Sequence, residues 1–158
     1  MSTPAIPQIE RRKIEAELLE RLRTVLAQEL GEERALEFVR RASLDAARQA
    51  GAAFAKSAPQ GPNLAHFATI LERWREGNAL DIEDVRLSGD SLTFRVTRCA
   101  YAEAYRAMGL SPDMADIASC CRDFGFVEGY SPHLRLERSK TIAQGSPHCL
   151  FHVYVSHP

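Results

Sequence analysis

The apolar residues of this chain recur at every third or fourth position up to about residue 77 and then at every second position, and that change of period limits the fold it can adopt. Ile14, Leu18, Leu22, Val25, Leu26 and Leu30 predict a helix over residues 10–30, facing inward along that seam and stopped by Gly31. A second helix is expected from about Glu32 to Lys56. Its inner face is built from Ala42, Ala46, Ala50 and Ala53 with Leu36, Val39 and Phe54. Small residues let another backbone come close, either inside the domain or from another subunit. The run "SAPQGPN" breaks the chain, and Asn63 is placed to cap a third helix that carries Leu64, Phe67, Leu71 and Trp74 and ends near Gly77. Residues 1–8, with Pro4 and Pro7, read as a loose arm.

Period two then takes over. "ALDIEDVRL" and "LTFRVTR" flank Gly89 and Asp90, and Leu92, Phe94 and Val96 alternate with polar residues, the pattern of a β-hairpin. Helix returns at "AYAEAYRAMG" and from about Asp113, behind Pro112 at a first-turn position. "HLRLERS" alternates through Leu134 and Leu136, and "CLFHVYV" through Cys149, Phe151, Val153 and Val155. The order ααα-ββ-αα-ββ gives an α+β fold, with N-terminal helices packed on one face of a small antiparallel sheet. With 158 residues, one domain is expected. It comprises the arm at 1–8, a helical part at 9–78, and a sheet-and-helix part at 79–158 that carries the motifs below.

A net charge of −1 gives no sign of non-specific binding to nucleic acid or an anionic membrane. No apolar run approaches the ~20 residues that span a bilayer. "MSTPAIPQIERRK" lacks the apolar core of a secretion signal, so the expected location is cytoplasmic. There, four cysteines are thiols, metal ligands or catalytic groups rather than structural disulfides.

Three of the four draw attention. In "SCCRDFGFVEGY", helical spacing puts Cys120 on a face with Asp116, Asp123 and Phe124, and Cys121 on a face with Met114, Ile117 and Gly125. Cys121 therefore reads as core packing and Cys120 as a thiol beside a carboxylate. That carboxylate raises the thiol pKa unless a cation such as Arg122 engages it, and it could orient an amidine or relay a proton. Cys99 stands where a strand meets a helix, and backbone N–H groups there favour a thiolate. In "GSPHC", His148 and Cys149 adjoin at a strand start, so on a regular strand they point to opposite faces. Cys99, Cys120, His148 and Cys149 are of the right types for Zn²⁺, although there is no C-x-x-C pair to nucleate such a site.

Together, "TRCAYAEAYRAMGL", "CCRDFGFVEGY" and "TIAQGSPHCLFHV" resemble the L-2-amino-thiazoline-4-carboxylic acid hydrolase family. The matching positions are Cys99, Tyr101 and Glu103; Cys120, Arg122, Asp123, Glu128 and Gly129; and Gly145, His148, Cys149 and Phe151. Ala100 stands where the family usually has Pro, and Cys121 where a polar residue is common. The last third also resembles 4-vinyl-reductase-type small-molecule-binding domains, which enclose a ligand pocket between helices and sheet. The family resemblance implies hydrolysis of a C=N bond in a small cyclic amidine, opening to N-carbamoyl-L-cysteine. Cys120, Asp123, His148 and Cys149 would be catalytic, and Cys99, Tyr101, Arg122 and Glu128 would bind substrate. The nucleophile would be a cysteine thiolate, Cys120 or Cys149, or water on a zinc ion. The second resemblance implies a different role: a sensor or carrier that binds a small molecule or metal without catalysis. In either case the partner is a small molecule, with a second copy of the chain as a further candidate.

Overall fold

Positive φ is what turns the first helix back on itself. Gly31, at φ 83°, separates α1 (Gln8–Leu30) from α2 (Glu32–Ala55). Arg23 braces the turn by donating to Glu20 and, across it, to Glu32. The computed structural model describes residues 5–157. Of the expected N-terminal arm, residues 1–4 lie outside the described residues, and helix has already begun at Gln8.

The third expected helix is two short ones, α3 (Leu64–Ala68) and α4 (Ile70–Arg75). The Thr69 hydroxyl donates to the His66 carbonyl at 2.7 Å, which tightens the chain there into a sharper turn. Asn63 caps α3 through its side chain, and Gly77, at φ 69°, ends the segment as expected. β1 (Leu80–Leu87) and β2 (Ser91–Cys99) form the hairpin. Next come α5 (Ala100–Ala107), α6 (Pro112–Ala115), a π-helical turn over Asp116–Cys120, α7 (Cys121–Tyr130), β3 (Leu134–Glu137) and β4 (Cys149–Val155). The antiparallel sheet has the order β1-β2-β4-β3. The fold is α+β, with the helices on one face of the sheet. Among the described residues no helix is long and apolar enough to cross a membrane.

Strand alternation places the core as expected. Leu92, Phe94 and Val96 on β2 and Cys149, Phe151 and Val153 on β4 are buried, and Phe94 stacks on Phe151 across the ladder at 4.5 Å. Phe67, Ile70, Leu71, Val127 and Tyr130 close over them from the helices.

Two helical seams differ from the expectation. On α1 the expected inner residues are exposed: Ile14, Leu18, Leu22, Val25 and Leu30 face outward. The helix turns inward a second, smaller seam, with Ile9 and Ala16 buried and Leu19 and Leu26 packed against Val39, Met114 and Ile117. Helical periodicity identifies the element but does not choose between two apolar seams. The short Ala16 side chain lets α1 lie close to Tyr101 and Tyr105 of α5. On α2 the buried set is Ala35, Val39, Ser43, Ala47 and Gly51, each four residues from the next. Of the expected alanines, Ala46 and Ala50 line a cavity instead, and Ala42 and Ala53 are exposed.

The prediction of a close backbone approach along α2 does hold, and α7 is the partner. A Cβ on Gly51 would lie 2.1 Å from the Phe126 carbonyl oxygen, and one on Gly129 would lie 2.0 Å from that of Arg48. A Cβ on Gly125 would lie 3.0 Å from the Leu44 carbonyl oxygen. Substituting alanine for Gly51 or Gly129 must push the two helices apart. Each variant is expected to lose about 3 kcal/mol in urea unfolding, whereas Gly89→Ala, which meets nothing within 4 Å, should be nearly neutral.

Candidate functional site

The helix pair α2–α7 stands over the sheet, and α1 and α4 close the sides. Between them lies a cavity of about 610 Å³, the size of a small-molecule site. One wall is apolar, built from Ile70, Trp74, Val96, Phe126 and Phe151, and the other carries Arg12, Arg122, Asp123 and Arg138. Gln8, Arg11, Arg73 and Glu76 also line it.

Local structure explains how the cysteines arrive there. The π-helical turn over Asp116–Cys120 inserts an extra residue per turn just before α7, a distortion common where helices serve a site. Cys120 and Asp123 line the cavity, while Cys121 is buried against the π-helical turn, its thiol 3.6 Å from the Ile117 carbonyl. Asp116 does not join Cys120; it pairs with Arg40 of α2 at 2.6 Å. Cys99 caps α5, accepting from the Ala102 N–H, and Cys149 accepts from the Ile142 N–H at 3.2 Å. Tyr101 donates to the Trp74 carbonyl, which ties α5 to α4. Cys99, Tyr101, Cys120, Arg122, Asp123 and Cys149 thus line one cavity. His148 and Glu128 are not part of it. Cys149 is buried and its neighbour His148 is directed elsewhere, as strand alternation requires. Glu128 is on the outside of α7, paired with Arg48 at 2.9 Å.

The centre of the polar wall is a residue that no motif marked. Arg138, beyond β3, has only 3% of its side chain exposed. One terminal nitrogen donates to the Asp123 carboxylate and the other to the Cys120 carbonyl at 2.7 Å. Its guanidinium is 4.9 Å from the Phe151 ring centre and 5.1 Å from that of Phe124, in cation–π range. Its Nε, also buried, has no partner among the described residues. The only sequence signal was an arginine following an alternating strand, which usually means a solvated strand end. Arg12, in the same wall, pairs with Glu15. Arg122 donates to the Ser43 carbonyl at 3.0 Å and to its hydroxyl at 3.3 Å, so its charge is held by neutral groups.

These surroundings set the chemistry. Burial pushes the Cys99 thiol up to about 11 and raises the Cys120 and Cys149 thiols as well; Asp123 pushes Cys120 the same way while Arg138 opposes it. The helix N-terminus at Cys99 therefore does not yield a thiolate, because desolvation outweighs the backbone N–H. Burial also pushes the Asp123 carboxyl up, with the Arg138 guanidinium pulling against it. Among the described residues no three His, Cys, Asp or Glu side chains gather as a metal site, and Asp123 is already held by Arg138.

A buried ion pair is costly to break from one side. Arg138→Met keeps the bulk but strands the Asp123 carboxylate, and the variant is expected to lose about 3 kcal/mol at neutral pH. In that variant the folded-state pKa of Asp123 lies above the unfolded value. The folded state then binds the proton more tightly, so its stability should be greatest in mild acid and fall as pH rises toward neutrality. Thermal unfolding across that range checks both the size and the sign.

Comparison with known proteins places this geometry. One similar solved structure is the phenol-responsive sensory domain of the transcription activator PoxR, with phenol. The likeness has a TM-score of 0.52 at 18% identity, and covers 89% of this chain and 73% of that one. It shows a shared fold. A search among curated proteins found no match. The family model for L-2-amino-thiazoline-4-carboxylic acid hydrolase matches residues 11–153, which includes every motif residue around the cavity, and the chain belongs to that family.

Proposed function

We propose that the cavity binds a small cyclic amidine bearing a carboxylate, such as 2-amino-thiazoline-4-carboxylate, and hydrolyses it with water as the nucleophile. The observation that carries this reading is the half-buried Asp123 carboxylate, held by the buried Arg138 in a cavity that also presents Trp74, Phe126 and Phe151. A pocket that only bound apolar ligands would gain nothing from a desolvated carboxylate. Arg122, with neutral partners only, suits the substrate carboxylate, and Trp74, Phe126 and Phe151 suit the faces of the ring. Asp123 then faces the amidine carbon. In this mechanism Asp123 takes one proton from water as the water oxygen bonds to the carbon between ring nitrogen and sulfur, and the C=N pair of electrons moves onto the ring nitrogen. The carbon–sulfur bond then breaks, the proton passes from Asp123 to the departing sulfur, and the second proton of the water moves from the added hydroxyl to the former ring nitrogen, which leaves the carbon as the carbonyl of a urea. One water is consumed, and the product is an N-carbamoyl cysteine.

This departs in two respects from the mechanism that the resemblance implies. The Cys120 and Cys149 thiols are raised by burial, which favours them as neutral wall groups over nucleophiles. His148, outside the cavity wall, is not assigned the proton transfer, and Glu128 is not assigned a substrate contact. The rival reading is a binding domain without catalysis. The aromatic cavity and the fold shared with a phenol-responsive sensory domain favour it.

The two readings separate in one assay. The purified chain is incubated with 2-amino-thiazoline-4-carboxylate, and free thiol and urea product are followed by a chromogenic thiol reagent and by NMR. Turnover should fall roughly 100-fold or more in Asp123→Asn, with thermal unfolding confirming that the variant is folded. Arg122→Met should chiefly raise KM. Binding detected by a thermal shift, with no thiol released, would favour the sensor or carrier.

A further inference from the structure

One seam of α1 is left exposed by the described residues. Arg11, Ile14, Leu18, Leu22, Val25 and Glu29 follow at steps of three and four and so form one stripe along the helix. Ile14 is 63% exposed, Leu18 59%, Leu22 46% and Val25 59%. A run of large exposed apolar side chains of this kind marks a surface that something covers. The charges at its two ends say what. Arg11 and Glu29 are both exposed, and the ion pairs within α1 join other residues: Lys13 to Glu10, Arg12 to Glu15, Arg21 to Glu17 and Arg23 to Glu20. The stripe therefore reads cation, four apolar residues, anion. Reversed, it is its own complement.

We propose that α1 packs antiparallel on α1 of a second copy of the chain about a two-fold axis. Ile14 lies opposite the partner's Val25, Leu18 opposite the partner's Leu22, and Arg11 pairs with the partner's Glu29 at both ends. The spacing agrees with this. The four apolar residues span about 16 Å of helix and the charged ends about 27 Å, so both end pairs close in one register. A parallel arrangement would set like charges against each other at both ends. A membrane surface is a poorer occupant, since α1 carries five acidic and five basic residues, without the cationic excess of an interfacial helix. Arg11 also lines the cavity, so the dimer seam runs along the edge of the site. The proposal does not depend on what the cavity does.

Sedimentation velocity at tens of micromolar chain tests it. The wild type should sediment at twice the chain mass. Leu18→Lys, on an exposed position, should be monomeric with an unchanged circular dichroism spectrum. Arg11→Glu and Glu29→Arg should each weaken the dimer at least tenfold at low salt. An equimolar mixture of these two variants should recover it as a heterodimer, because each then meets its complement at both ends. A monomeric wild type overturns the proposal. A dimer unaffected by Leu18→Lys, or one that mixing the charge variants does not restore, overturns it as well.

Discussion

The rest of the site depends on the contact between α2 and α7. Gly51, Gly125 and Gly129 remove the side chains that would otherwise hold the two backbones apart, and Ala47 and Ser43 continue the seam toward the π-helical turn. At that end the Ser43 hydroxyl donates to the Ile117 carbonyl at 2.6 Å, and Arg122 donates back to Ser43. At the other end Arg48 pairs with Glu128. α7 is thereby fixed in rotation as well as position. The junction of the π-helical turn with α7, which carries Cys120, Arg122 and Asp123 within four residues, needs both, because a turn of a few tens of degrees would exchange the cavity-facing residues for Cys121.

With α7 fixed, the chemistry of the cavity follows from one exchange of charge. Asp123 would be too costly to bury alone. Arg138 enters from beyond β3, stacks between Phe124 and Phe151, and offsets that cost by donating to the carboxylate, while its other terminal nitrogen is anchored on the Cys120 carbonyl. The arginine and carboxylate hold each other's geometry, so the carboxylate presents a defined face to the cavity. The same low-dielectric surroundings that keep Asp123 exposed to opposing pulls keep the three cavity thiols protonated. Such surroundings favour neutral thiols over thiolates, which is why the proposed reaction uses water rather than a cysteine as nucleophile.

The order of elements was legible because the periods are long and clean. β2 and β4 bury the residues that alternation picked out, and the pairing of Cys120 with Asp123 and the separation of Cys149 from His148 follow from helix and strand geometry alone. The helix seams were less legible. α1 has two apolar seams and buries the smaller, because Ala16 permits close packing and the larger stripe faces outward. On α2 the buried residues are displaced by one from several of the expected alanines, since a run rich in alanine offers nearly equal faces. Arg12 and Arg138 were not legible at all. Each enters the site from a distant part of the chain, and nothing in its own neighbourhood distinguishes it from a solvated arginine. The family resemblance identified the motif residues, but not that Glu128 and His148 stand apart from the cavity they were expected to share.

The claim that water and Asp123, rather than a thiol, carry the reaction is tested most directly by intact-protein mass spectrometry on samples quenched during turnover of 2-amino-thiazoline-4-carboxylate. The account predicts that N-carbamoyl cysteine accumulates beyond the amount of protein while the chain keeps its unmodified mass at every time point. A covalent adduct mapping to Cys120 or Cys149 that forms and decays at the rate of turnover would contradict it.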